Sequence, residues 1–206
     1  MAPPFRADQI GSLLRPKELL DARASLSSPS QLYDIATDEK IKQAAQKAID
    51  WAVQKQLELS IRPICSGEYG RHIFYGGFFE TLEGMTPKPE LPIPDAFRTG
   101  FPTTTGLAKM GAKTRAAVMC TGRIRWKRSA YLEEWKMLRK TVPEVQWKEC
   151  KITMPAPNYQ HIQLKPGTAF TASSAYGSDE AYFKDLGKAY AAEIKALYDE
   201  GVRTSR

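Results

Sequence analysis

The sequence contains few of the side chains that bind metals in proteins. Only three cysteines and two histidines occur in 206 residues, and they are Cys65, Cys120, Cys150, His72 and His161. They form no Cys-x-x-Cys pair and stand far apart, so no zinc-ligand spacing is present. An odd number of widely spaced cysteines also favours reduced thiols over a disulfide framework. The sequence therefore predicts a cytoplasmic protein without a metal site of its own.

Long apolar runs are missing as well. No window approaches the ~18 consecutive apolar residues of a membrane span, and the opening MAPPFRADQ lacks the apolar centre of a signal peptide. Charged residues make up 26% and apolar residues 42% of the chain, as in ordinary soluble proteins. We therefore expect no membrane partner, and the length suits one sizeable domain.

Acidic residues are absent from one basic stretch, Lys109–Arg128, in a chain of net charge +7. Its basic residues are Lys109, Lys113, Arg115, Arg123, Arg125, Lys127 and Arg128. With Trp126 among them, the stretch could bind nucleic acid. It could also hold the anionic tail of a small cofactor, or simply form a solvated hairpin.

Apolar periodicity and turn residues predict alternating strands and helices. The predicted strands are Ala7–Ser12, Ile61–Cys65 and Lys151–Met154. The predicted helices are Lys17–Ala24, Thr37 (as cap) to Leu57, Ser129 (as cap) to Lys140, and Ser178 (as cap) to Gly201. Residues Lys113–Ile124 are predicted as a β-excursion, and the proline-rich stretch Thr86–Pro102 as an ordered loop. This alternation indicates an α/β fold with a parallel sheet.

The stretch Ile61–Met85 is the most informative part of the chain. The predicted strand Ile61–Cys65 ends in Ser66-Gly67-Glu68. A buried strand that ends in a glycine and a carboxylate is typical of the catalytic rim of α/β barrels. The alternative is a surface loop with one solvated glutamate.

The predicted strands are too few for a closed barrel. An eight-fold barrel typically needs ~250 residues, so we interpret residues 1–206 as a single incomplete domain. We expect the strand at Ile152–Met154 to keep an open edge through which the chain self-associates. The inward side chains of Ile10, Ile64 and Ile152 would then lack half of their core.

Four ordered blocks carry a resemblance to a known family. They are FRADQIGSLLRPKEL, QKQLELSIRPICSGEYGR, KITMPAPN and AYAAEIKALYDEGVR. From about Phe5 to Arg203 the chain resembles the catalytic C-terminal domain of cobalamin-independent methionine synthase, and more closely its single-domain methionine-synthase-like relatives. The resemblance implies the N-terminal half of a (β/α)8 TIM barrel.

The resemblance also implies site residues. Ile10, Gly11 and Ser12 would contact the amino acid, homocysteine or methionine, and Glu68 would bind its ammonium group. The region of Lys113 and Thr114 lies where the family contacts its methyl donor, a methyl-folate. Two departures stand against classical folate use: the family's Arg-Cys pair is missing at Lys113-Thr114, and Met154-Pro155-Ala156-Pro157 replaces its Thr-Gly-Pro motif.

The reaction implied by the resemblance is methyl transfer to the homocysteine thiolate, which zinc activates. The family's zinc ligands lie in the other half of the barrel, so we expect no zinc to be bound by this chain and leave its activity open. The alternatives are a non-catalytic fragment, a nucleic-acid-binding module that uses Lys109–Arg128, and a metal-free decarboxylase on a related barrel.

Overall fold

The structure, a computed structural model, describes residues 8–25, 38–172 and 174–205. Within them the chain has an α/β fold of helices and a small two-stranded sheet. The elements are α1 (Lys17–Ala24), α2 (Glu39–Glu58), α3 (Phe78–Thr81), β1 (Glu83–Pro92), α4 (Pro102–Lys109), β2 (Thr114–Arg125), α5 (Leu132–Arg139), the 3₁₀ helix Glu144–Glu149, α6 (Tyr159–Gln163) and α7 (Asp179–Asp199). In the described part of the chain, no helix is long and apolar enough to cross a membrane.

The chain divides into two compact units. The first unit falls in the ranges Met1–Gly77, Ala130–Met154 and Lys195–Arg206, and the second in Phe78–Ser129 and Pro155–Ile194. The single incomplete domain that we predicted over residues 1–206 stays a prediction.

Extended segments of the first unit pair in parallel, one residue at a time. Ile64 bridges Cys150, and Ile152 bridges Ser205. The Ile152 N–H donates to the Thr204 carbonyl at 3.1 Å, so the edge that we expected to be open is paired at this residue. Self-association of the chain stays a prediction. The expected core is right for Ile64 and Ile152, which are buried, and wrong for Ile10, whose side chain is 81% exposed.

The predicted strands therefore form few regular backbone pairs. In Ile61–Cys65 and Lys151–Met154 only the bridges at Ile64 and Ile152 form, and Asp8–Ser12 has no strand assignment. Ala7, like the predicted cap Thr37, lies outside the described residues. The side chain of Asp38 caps α2 by accepting the Ile41 N–H at 2.9 Å.

A buried amide joins the extended segments where regular pairing does not. Gln56 on α2 is 4% exposed. Its Nε2 donates to the Cys65 carbonyl at 2.9 Å, while its Oε1 accepts the Cys65 N–H at 3.0 Å and Nε2 of Gln9 at 2.7 Å. One side chain therefore satisfies backbone groups that a neighbouring strand would otherwise satisfy.

The second unit contains the antiparallel pair of β1 and β2. The strand β2 confirms the predicted β-excursion, but the loop predicted for Thr86–Pro102 is wrong, because Glu83–Pro92 is a strand and Pro102 begins α4. A two-stranded sheet has only edge strands, and an edge strand tolerates proline when its nitrogen faces away from the partner. Pro87 lies opposite Val118, whereas Pro89 falls where the register shifts between Lys88 and Leu91, and the pairing resumes at Leu91 with Arg115.

Gly84 provides a test of this hairpin. Its φ is +79°, and a Cβ there would lie 2.6 Å from the carbonyl carbon of Arg123. We expect Gly84→Ala to lower the free energy of unfolding by roughly 1–3 kcal/mol, because the backbone must shift or strain. The control Gly106→Ala in α4 has no atom within 4 Å of its Cβ and should leave stability unchanged or raise it by up to ~1 kcal/mol. Urea unfolding measures both, and equal effects would contradict the close approach at Gly84.

Candidate functional site

The site is built on a tight turn that follows the extended segment at Ile64. Gly67 and Glu68 both have left-handed backbones, with φ of 66° and 58°. The Glu68 N–H donates to Oγ of Ser66 at 3.1 Å, and the Leu13 N–H donates to the Gly67 carbonyl at 3.1 Å. A positive φ is uncommon for a glutamate, so these bonds hold its side chain in a direction that an ordinary turn would not give.

The carboxylate of Glu68 is held by hydroxyl groups from two other segments. Ser12 Oγ donates to Oε2, and Thr153 Oγ1 donates to Oε1 at 2.5 Å. Gly11 lies against the same carboxylate, since a Cβ on it would stand 2.5 Å from Oε1 of Glu68. The residue is 4% exposed. Both oxygens therefore have fixed positions, and each keeps acceptor capacity for a further donor.

A buried ion pair lies next to this carboxylate. Arg71 donates to Glu134 in a two-pronged arrangement, Nε to Oε2 at 2.6 Å and Nη2 to Oε1 at 3.0 Å. Ser66 Oγ donates to the same carboxylate at 2.6 Å, and Tyr131 places its ring 4.2 Å from the guanidinium carbon. Burial lowers the pKa of Arg71, but the charge of Glu134, the nearby Tyr131, the hydrogen bonds to Glu134 and the charge of Glu68 together outweigh it and raise that pKa, so the cation is retained.

The structure brings together part of the predicted site. Gly11, Ser12 and Glu68 meet, whereas the side chain of Ile10 is exposed. Lys113 and Thr114 belong to the second unit, exposed at the start of β2, where the Lys113 carbonyl accepts the Ile93 N–H at 2.8 Å. The contacts of these residues with an amino acid substrate and with a folate remain predictions.

Three residues of the site were missed in the sequence. They are Arg71, Glu134 and Thr153. Arg71 follows Glu68 by one turn, and Thr153 directly precedes the Met154-Pro155 break, so position alone could have suggested both. Glu134 offered a weaker signal, a charged residue between the apolar Leu132 and Trp135 of the predicted helix.

The cysteines and histidines of the described residues form no metal centre. Over residues 8–25, 38–172 and 174–205, no three His, Cys, Asp or Glu side chains are grouped so that they could hold a metal ion. Cys65, Cys120 and Cys150 are free and buried, and burial raises the pKa of all three thiols, that of Cys150 to about 12. The side chains of the described residues therefore do not fit a zinc site.

The basic stretch Lys109–Arg128 is partly neutralised within the second unit. Arg115 is buried and donates to Oγ1 of Thr104 at 2.9 Å. Arg123 pairs with Asp185 at 3.3 Å, and Trp126 Nε1 donates to Glu193 at 2.9 Å. Ion pairs and burial leave less of this charge and aromatic surface for nucleic acid.

Comparison with known proteins gives structural relatives. No protein-family model matches the chain. A Listeria monocytogenes structure, provisionally assigned as a vitamin-B12-independent methionine synthase, matches with a TM-score of 0.65 and 25% identity over 100% of this chain and 52% of that one. A B12-independent methionine synthase from Shewanella sp. W3-18-1, solved in complex with selenomethionine, matches with a TM-score of 0.60 and 23% identity over 95% of this chain and 48% of that one. The fold is therefore shared with methionine-synthase-like structures.

Two sequence relatives come from Bacillus subtilis strain 168. The uncharacterized proteins YxjH and YxjG are 28% and 29% identical to the chain over 201 and 203 residues. These alignments cover 97% and 98% of this chain but only 46% and 47% of the relatives. The chain thus spans about half the length of the proteins that it matches.

Thr153 provides a test of the hydroxyl cradle around Glu68. Thr153→Val removes one donor to a buried carboxylate while nearly keeping the side-chain shape, so we expect it to cost ~1.5–3 kcal/mol of unfolding free energy. Thr105→Val is the control, because its exposed hydroxyl donates to the neutral carbonyl of Thr99 and its loss should cost under ~1 kcal/mol. Equal losses in denaturant unfolding would show that Thr153 does not support Glu68.

Cys150 gives a pH-dependent test of burial. Its pKa rises from 9.0 to about 12 in the folded chain. Above pH 9 the unfolded state loses the thiol proton that the folded state keeps, so this group's stabilisation, complete below pH 9, falls as pH rises toward 12. The slope is at most ~1.4 kcal/mol per pH unit. Urea unfolding at pH 8, 9 and 10 should show a steeper fall in the native chain than in Cys150→Ala, which keeps the smaller contributions of Cys65 and Cys120; identical slopes would contradict it.

Proposed function

We propose that the first unit carries the amino-acid-binding part of a methionine-synthase-like methyltransferase, with Glu68 as the acceptor for the ammonium group of homocysteine or methionine. The observation that carries this proposal is the buried Glu68 carboxylate, which neutral hydroxyls fix in place and whose nearest cation among the described residues, Arg71, lies 3.6 Å away, beyond hydrogen-bonding distance. A primary ammonium supplies both the missing charge and several donors. The shared fold supports the proposal, as does the amino acid bound in the Shewanella structure.

The chemistry of such a site follows from its groups. The carboxylate binds and orients the ammonium through charge-assisted hydrogen bonds. Gly11 lets the Glu68 carboxylate pack against the backbone, since a Cβ there would stand 2.5 Å from Oε1, and Ser12 contributes its hydroxyl from the same segment. Orienting one end of an amino acid fixes where its sulfur points, which is the contribution of this unit to methyl transfer. A methyl-folate as the donor, with Lys113 and Thr114 near it, remains part of the proposal.

We further propose that residues 1–206 form the N-terminal half of a (β/α)8 barrel. Three observations support this reading: the parallel bridges at Ile64 and Ile152, the relatives of about twice the length, and an apolar groove of about 990 Å³ beside α2. Leu14 and Trp51 line the groove and are 94% and 62% exposed. Further barrel elements would cover such a surface.

The ammonium proposal is tested by calorimetric titration with L-methionine and L-homocysteine. We expect Glu68→Gln to weaken binding more than tenfold, because a charge-assisted hydrogen bond is worth ~1.5–3 kcal/mol. Glu58→Gln, at an exposed glutamate paired with Lys55, should bind as the native chain does. N-acetyl-L-methionine, which lacks the ammonium, should not bind. Native-like binding by the Glu68 variant, or no binding by the native chain, would contradict the assignment.

A further inference from the structure

The charges of the buried cluster do not cancel. The side chains of Glu68, Arg71 and Glu134 are only 6%, 4% and 6% exposed. They comprise two carboxylates and one guanidinium, so the cluster carries one net negative charge. Two other cations of this unit are buried among the described residues: Lys151 pairs with Asp8 at 2.9 Å, and Arg23 donates to the Tyr69 carbonyl at 2.8 Å. An uncompensated buried charge costs free energy unless a counter-charge is supplied.

Arg71 is shared unequally between the two carboxylates. It makes two hydrogen bonds to Glu134, at 2.6 and 3.0 Å, whereas its Nη1 lies 3.6 Å from Oε1 of Glu68 and makes no hydrogen bond to it. Two other donors of Arg71 are bound to the carbonyls of Thr153 and Phe74, at 2.7 and 3.0 Å. Four of its five N–H groups are thereby directed away from Glu68.

From this geometry we propose that Glu134 is a positioning residue that holds Arg71 away from Glu68, so that the negative charge of Glu68 remains for the cation of a ligand. The inference rests on the proposed function, in which that cation is the ammonium of an amino acid. Glu134 needs no contact with the ligand to have this effect. Glu134 raises the affinity of Glu68 for the ligand by binding Arg71, which would otherwise compete with the ligand for Glu68.

The proposal predicts opposite effects for one and two substitutions. With Glu134 neutralised, the nearest carboxylate to Arg71 is Glu68, and the guanidinium closes the gap of 3.6 Å. Arg71 then competes directly with the ligand. Removing the guanidinium as well takes away this competitor and leaves the Glu68 carboxylate for the ligand. A second substitution should therefore restore what the first one removes.

The experiment compares L-methionine binding by the native chain and four variants, with circular dichroism as the check on folding. We expect Glu134→Gln to bind more than tenfold more weakly than the native chain, and the double variant Arg71→Met/Glu134→Gln to bind within about threefold of it. Glu134→Asp keeps the charge and should stay close to native affinity. Glu149→Gln is the control, because it neutralises a carboxylate paired with Arg62 outside the cluster. Native affinity in Glu134→Gln, or weaker binding in the double variant than in the single one, would overturn the proposal.

Two further measurements keep the test decisive. A crystal structure of Glu134→Gln without ligand should place Nη1 of Arg71 at about 2.8 Å from Glu68, a hydrogen-bonding distance; an unchanged separation would refute the inference whether or not methionine binds. If Glu134→Gln does not fold, the double variant decides by itself, since its loss of binding would mean that the ligand needs Arg71. A native chain that fails to bind methionine refutes the proposed function, and the crystal structure still decides the role of Glu134.

Discussion

The first unit depends on the two-pronged ion pair between Arg71 and Glu134. Through Arg71 and its partners the pair ties together the turn after Ile64, helix α5 and the extended segment at Thr153. Both charges are buried, and removing one partner of such a pair typically costs ~3–5 kcal/mol. The geometry of Glu68 is coupled to this pair, because Thr153 bonds to the Glu68 carboxylate and to Arg71, while Ser66 bonds to the Glu134 carboxylate and to the Glu68 N–H.

Stability alone does not explain so much buried charge. A buried ion pair is often no more stabilising than well-packed apolar side chains of similar size, since desolvation offsets the attraction. A polar network does fix directions, because each donor has one acceptor that satisfies it. In this unit the network fixes the direction of the Glu68 side chain and holds its carboxylate against Gly11.

Sequence patterns predicted the parts of this fold that local rules govern. The helix α1 has the predicted bounds, and the Gly67-Glu68 turn is where an apolar segment breaks off. The failures involve tertiary partners. Pro87 disfavours a central strand, and the sequence does not show that it lies in an edge strand. Gln56 and Glu134 are polar residues in helices, and such residues are usually exposed. Their burial is decided by groups far along the chain, which periodicity does not reveal. The resemblance pointed to Gly11, Ser12 and Glu68 but not to Arg71, the cation that Glu134 holds, although Arg71 follows Glu68 by only three residues.

Glu68 occupies a position where glycine or asparagine would be easier for the backbone. Its left-handed φ of 58° costs of order 1 kcal/mol for such a residue, and its desolvated carboxylate adds a further cost. Both penalties are present while the site is empty, and a bound cation offsets only the second. Evolution toward thermostability alone would remove this glutamate first. On the proposed function, the chain gives up part of its folding free energy to keep a carboxylate available for a cation. A substitution of Glu68 that stabilises the protein would then weaken ligand recognition.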